Sequence, residues 1–142
     1  MENARSMPQD SGLRPLPDGK QAMALAQAGM RGLARMGDHW GLTVDQQRVL
    51  LGDLPKTTYY AILKGEARTV SKDTLERLSL LLGIWANLEI LLPNPQSSMG
   101  WMKRAHPDPR FGGHSPLAWM LQGTVTALVE VRRYLEAWRF GL

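Results

Sequence analysis

Three histidines, His39, His106 and His114, carry what catalytic or metal-binding chemistry this chain could offer. His106-x-Asp108 followed by His114 could be a metal cluster. It sits, however, in a Pro- and Gly-rich run, Asp108-Pro109-Arg110-Phe111-Gly112-Gly113-His114, where such residues are usually just exposed. Cysteine is absent, which removes thiolate ligands, Cys nucleophiles and disulfides and fits a reducing cytoplasm. There is no HExxH pair, no Ser elbow and no phosphate-binding Gly loop on a strand. The expectation is a protein that is not an enzyme, with no metal and no cofactor. The chemistry left is recognition.

Two sets of residues could supply it. Lys56, Thr57, Tyr60 and Lys64 share the outward face of a short helix, offering two cations for phosphates and hydroxyls for phosphates or base edges. From Leu54 to Lys72 there are four basic residues, Lys56, Lys64, Arg68 and Lys72, against only Glu66. That face carries no Arg, Asn or Gln, the commoner base readers, so modest or partner-assisted DNA binding is expected. The second set lies near the C-terminus. Trp101, Phe111, Trp119, Tyr134, Trp138 and Phe140 crowd one stretch beside Arg132, Arg133 and Arg139. Aromatics and Arg are the usual anchors of protein interfaces. Trp101 and Trp119 are expected to fill a small core, Phe111-Gly112-Gly113 to be a structural turn, and Arg132 and Glu136 to form an i,i+4 pair. The end Trp138-Arg139-Phe140-Gly141-Leu142 reads as an exposed, flexible tail narrow enough to enter a cleft.

The elements that must position these residues are all helical. Residues 1–19 read as a disordered leader, rich in Pro, Gly, Ser and Asp. A helix is expected from Gln21 to Met36, ended by Gly37-Asp38. Thr43-Val44-Asp45-Gln46 matches a capping box for a helix stopping at Gly52, with Val44, Val49, Leu50 and Leu54 as core. A second short helix starts near Pro55 and stops at Lys64-Gly65, with Tyr59, Ile62 and Leu63 inward. Ser71 caps a long helix that becomes apolar nearly all round through Leu80, Leu81, Ile84, Trp85, Leu88, Leu91 and Leu92. Ser97 or Ser98 caps a short helix, Ser115-Pro116 opens another, and Thr124 starts the last. Two short helices joined at a Gly, followed by a longer apolar one, form the pattern of a helix-turn-helix.

The fold class is therefore all-α. A helix-turn-helix domain (20–92) is packed through a long helix onto a small C-terminal domain (93–142). The chain carries 17 basic against 13 acidic residues, net +4. Residues 1–92 hold 11 basic and 10 acidic, and residues 93–142 hold 6 and 3, so the surplus lies mostly in the C-terminal third. DNA binding by the first part must rest on local patterning. No stretch has the length and apolarity of a membrane span.

Over roughly residues 40–142 the chain resembles the Xre/MbcA/ParS antitoxins, and the resemblance becomes specific from Ser71 onward. Ser71-Lys72-Asp73-Thr74-Leu75-Glu76-Arg77-Leu78-Ser79-Leu80-Leu81-Leu82-Gly83-Ile84 is similar to the helix that follows their helix-turn-helix. Trp101-Met102-Lys103-Arg104 resembles their Trp-Leu-x-x segment, and Phe111-Gly112-Gly113-x-x-Pro116-Leu117 their Phe-Gly-Gly-x-x-Pro-Leu signature, with Gly123 shortly after. Val131 to Arg139 resembles the final helix. The chain departs at Leu54-Pro55, where many relatives carry a Ser or Thr cap. The resemblance implies a RES-fold toxin partner that attacks NAD, by degradation or ADP-ribosylation. It also implies a homodimer within a larger complex, repression of the operon promoter, and inhibition through the C-terminal region. On that reading Lys56, Thr57, Tyr60, Lys64 and Arg68 meet DNA, and Arg132, Arg133, Trp138, Arg139, Phe140 and Leu142 meet the toxin. A stand-alone dimeric helix-turn-helix repressor is the alternative.

Overall fold

The computed structural model describes residues 19–141. Of the expected leader (1–19), residues 1–18 lie outside them, as does Leu142, while Gly19 opens the first helix. The order is α1 (Gly19–Trp40), α2 (Val44–Leu50), α3 (Lys56–Lys64), α4 (Lys72–Leu91), α5 (Pro95–Lys103), a 3-10 turn (Pro109–Phe111), α6 (Pro116–Met120) and α7 (Val125–Phe140). The described residues contain no strand.

Helix α1 buries Ala26, Met30, Leu33, Met36 and Trp40, a stripe at spacings of three and four. It starts earlier than Gln21 and runs past Gly37-Asp38, contrary to expectation. Gly37 lies inside the last turns, where its carbonyl accepts from Leu42 N–H at 2.8 Å. The chain leaves the helix at Gly41, φ +67°. That six-to-one closure is the Schellman arrangement, and it needs glycine at the left-handed position. Gly32 serves close approach: a Cβ there would lie 2.8 Å from Leu82, whereas one on Gly29 would make ordinary contact with Leu78 at 3.4 Å. Gly32 lets α1 lie directly on α4.

The caps follow the sequence with one exception. Thr43 and Gln46 close a full capping box. Ser71, Ser115 and Thr124 accept from backbone N–H groups of Thr74, Ala118 and Ala127. Helix α5 is capped by Asn94 ahead of Pro95, not by Ser97 or Ser98. Pro95 suits the first turn and moves the start upstream. Ser98 is buried and accepts the Trp40 indole N–H at 3.2 Å, tying α5 to the end of α1.

Helix α4 is the axis. Leu78 and Leu82 meet Gly29 and Gly32 of α1, and Trp85 meets His39. Its Arg77, Gly83 and Asn87 meet Gly123, Arg132 and Arg139, in that order. Both α1 and α7 therefore run parallel to α4 on its flanks. Leu81, Ile84 and Leu88 are fully enclosed, each stabilising by about 1.5–3 kcal/mol. One chain thus covers more of the apolar wrap than the sequence suggested. Leu80, Trp85, Leu91 and Leu92 are half-buried, and Ile90 stays 54% exposed.

Candidate functional site

The first candidate surface is built on α3. Helix α2 ends at Leu50 with Leu51 as its C-cap, and Gly52 (φ +80°) and Asp53 (φ +60°) reverse the chain. Asp tolerates that left-handed position better than most residues. Arg48 braces the turn by donating from Nε to Leu54 O at 2.7 Å, while its Nη1 pairs with Asp45 at 2.8 Å. Pro55 stands at the N-cap of α3, and no side chain caps it. The first-turn N–H groups of α3 thus keep their donor capacity toward an outside acceptor.

Tyr59 and Ile62 point inward. Tyr59 Oη donates to Gln47 Oε1 at 2.6 Å, and Gln47 Nε2 donates to Leu42 O at 3.4 Å. This buried link sets the rotation of α3 against α2. Burial, aided by the neighbouring Tyr60 and Asp38, pushes the Tyr59 hydroxyl above its ordinary value, so it stays a donor. Gln47 takes a core position that sequence reasoning gave to Val44 and Val49, which are only half-buried.

Locked in this way, α3 turns Lys56, Thr57, Tyr60 and Lys64 outward together. All four line one shallow hollow of about 460 Å³ with Ala61 and Glu66. Lys56, Thr57 and Tyr60 are exposed, and Lys64 is exposed beside them. Arg68 is exposed but does not join them. It lies on the α3–α4 connection and borders a wider hollow between α1 and α4 that includes Leu25, Leu75 and Leu82.

The second candidate surface is the outer side of α5 and α7. Trp101 stacks on Tyr134 at 5.9 Å and lies 6.3 Å from Trp138. His106 meets Trp101, Phe111 and Tyr134 edge-on. Arg110 lies 5.2 Å from the centre of the Tyr134 ring. Its backbone N–H, donated to Asp108, holds that carboxyl below the ordinary carboxylate range. Phe111 is fully buried against His106 and Tyr134, and Gly112 and Gly113, both at positive φ, make the structural turn expected of them. Trp101 and Trp119 are only half-buried; the fully enclosed tryptophan is Trp40. The described residues hold no group of three or more metal-ligating side chains, and none of their helices is long and apolar enough to cross a membrane.

The expected partner-binding residues divide by how they are held. Trp138 (45%), Phe140 (58%) and Arg133 are exposed. Arg132 lies over Gly83 and pairs with Glu136 at 3.2 Å. Arg139 donates to Asn87 Oδ1 at 3.2 Å and lies 4.6 Å from the Phe140 ring centre. The stretch through Phe140 is therefore helical and anchored, not the flexible tail expected. The anchor is Asn87, buried in α4 and donating to Gly83 O at 2.9 Å. The signal for it was a lone amide in an apolar helix.

Sequence reading also missed Arg77. It is 9% exposed, and its Nε lies 3.0 and 3.1 Å from the two carboxylate oxygens of Asp73. Its Nη1 donates to Gly123 O at 2.8 Å and to Leu50 O at 3.5 Å. One guanidinium thus joins the end of α2, α4 and the turn before α7.

Two family models match this chain. The first, an antitoxin Xre-like helix-turn-helix domain, matches residues 21–83, which include α2 and α3. The second, an antitoxin Xre/MbcA/ParS C-terminal toxin-binding domain, matches residues 87–141, which include α5 to α7. The chain is also similar to the uncharacterized protein y4oB of Sinorhizobium fredii, at 38% identity over 118 residues, 83% of this chain and 89% of the relative.

Proposed function

The chain belongs to the Xre/MbcA/ParS family of antitoxins, and from that premise we propose that it neutralises a RES-type, NAD-consuming toxin and represses its own operon. The family makes it a DNA-binding antitoxin with a toxin partner. The proposal adds the kind of toxin, the promoter as target and the residues involved. Residues 93–142 bind the toxin, with Arg132, Arg133, Trp138, Arg139, Phe140 and Leu142 near its cleft. Residues 20–92 bind promoter DNA through Lys56, Thr57, Tyr60 and Lys64, with Arg68 reaching a phosphate at the periphery. The chain acts without catalysis or cofactor, in the cytoplasm where its operon lies.

The observation that carries this reading is the placement of α4. It begins in the stretch matched to the helix-turn-helix, ends in the stretch matched to toxin binding, and packs α1 and α7 along it. The toxin-side helix α7 packs on α4 directly, and the DNA-side helix α3 is joined to it through α1. The test is to co-express the chain with the product of the adjacent reading frame and follow growth, cellular NAD and promoter activity. The expected result is growth rescue, preserved NAD and promoter repression. Rescue with NAD unaffected by the toxin alone would remove the RES assignment.

We also propose a dimer, supported by half-buried Leu80, Trp85, Leu91 and Leu92 and exposed Ile90 on α4. A folded monomer in sedimentation at micromolar concentration would end that part.

A further inference from the structure

The outer face of α5 and α7 carries a hollow of about 360 Å³, lined by Ser97, Trp101, Arg104, His106 and Trp138 with Leu92 and Ala105. Its apolar surface comes from two indole rings with Leu92 and Ala105. Its side-chain polar groups are mostly donors. Among the described residues no acceptor meets the indole N–H of Trp101 or Trp138. His106 Nδ1 accepts from Asp108 N–H at 3.1 Å, so its neutral ring keeps the proton on Nε2. Arg104 donates Nε only to Gly100 O, at 3.2 Å, and pairs with no carboxylate among the described residues.

The surrounding charges are already sorted. The three acids of residues 93–142 all have partners: Asp108 with Arg110, Glu130 with the Trp119 indole, and Glu136 with Arg132. Arg104 is left with an uncompensated charge at the rim of an aromatic hollow. A site rich in donors and poor in acceptors matches a carboxylate, and the indole faces match an apolar side chain beside it.

We infer that this hollow seats an acidic segment of the partner toxin, one Asp or Glu reaching Arg104 and the indole N–H groups while a neighbouring apolar side chain covers Trp138. The inference rests on the toxin-binding reading above. It also names an anchor on α5, well removed in sequence from the end of α7. Two anchors on different helices fix the orientation of a partner, which one helix end alone does not.

The test uses the full chain and the purified toxin from the adjacent reading frame, with affinity measured by titration calorimetry. Arg104→Glu and Trp138→Ala should each weaken toxin binding by about tenfold or more. Arg104→Lys should retain most of the affinity, because the site is charge-led. Higher salt should weaken the unaltered chain more than Arg104→Glu. Arg35→Glu, on the exposed side of α1, should bind as the unaltered chain does. Circular dichroism must show unchanged helix content, which the exposure of Arg104 and Trp138 favours. If Arg104→Glu binds within about twofold of the unaltered chain, the inference falls while toxin binding stands, whatever Trp138→Ala does, because Trp138 already belongs to the proposed toxin surface. If the unaltered chain does not bind the toxin, the functional reading falls and takes the inference with it. If Arg104→Glu weakens binding of a promoter duplex and not of the toxin, the hollow serves phosphate and the inference is overturned.

Discussion

Tyr59 and Gln47 form the buried polar link that aims α3, the helix proposed to face DNA, and its weakness is the partner left behind when one is removed. Tyr59→Phe keeps the ring but leaves Gln47 Oε1 buried without a donor. The expected cost is about 1–3 kcal/mol, read as a lower thermal midpoint. Its ionisation has a definite sign. The folded-state value is raised above the unfolded one, so the folded chain holds the proton more tightly. The contribution is complete below the ordinary tyrosine value of about 10 and is lost as pH rises through the higher folded value. Alkaline unfolding followed with and without Tyr59→Phe should show a steeper decline for the unaltered chain; parallel curves would refute the assignment. Gly37→Ala acts on the same link from the other side. Its Cβ would overlap the Gln47 amide, which cannot move without releasing Tyr59.

At the scale of elements, α3 presents charge and α7 presents aromatics. Lys56→Glu with Lys64→Glu reverses both cations of the α3 face, which is exposed and should not affect folding. Promoter affinity should drop on every sequence, and each lysine taken away from a phosphate should reduce the salt slope by about one. Unchanged affinity by fluorescence anisotropy would move the DNA surface elsewhere. For α7, cutting the chain after Trp138 removes the Arg139–Asn87 hydrogen bond and the exposed Phe140 while sparing buried Leu128, Val131 and Leu135. The helix-turn-helix should stay folded with DNA binding nearly intact, and toxin neutralisation should fall sharply. Full growth rescue by a folded truncation would place inhibition away from the α7 end.

Across the whole molecule, Arg77 and α4 make the two matched stretches interdependent. Arg77 holds Asp73, Leu50 O and Gly123 O at once. Arg77→Ala leaves two carbonyls and a carboxylate short of a donor. Asp73 is 55% exposed and can turn to water, so the expected cost is about 2–3 kcal/mol, carried chiefly by the carbonyls. Because α4 is packed by both α1 and α7, unfolding should be one cooperative transition, with probes in α1 and α7 coinciding. Two separated transitions would mean that the halves fold independently, and Arg77→Ala would then shift only one.

The sequence by itself determined the class, most helix starts and the outward face of α3. These are local matters: apolar spacing, a cap one turn from its acceptor, and a Gly at a left-handed end are set within a few residues of each other. The antitoxin family was legible for a related reason, because its signature at Phe111-Gly112-Gly113 encodes a local turn. The tertiary structure decided where helices meet. That Gly37 is a close-approach glycine inside α1 rather than its stop is decided by the Gln47 amide beside it, and that Ser98 is an acceptor rather than a cap depends on Trp40. That Arg139 is anchored depends on Asn87, and that Arg77 is a joint depends on Leu50 and Gly123. Each partner lies far along the chain, and spacing along one helix says nothing of which residue on another will face it. The aromatic hollow belongs to the same class: Trp101 and Trp138 become neighbours only because α5 and α7 pack side by side.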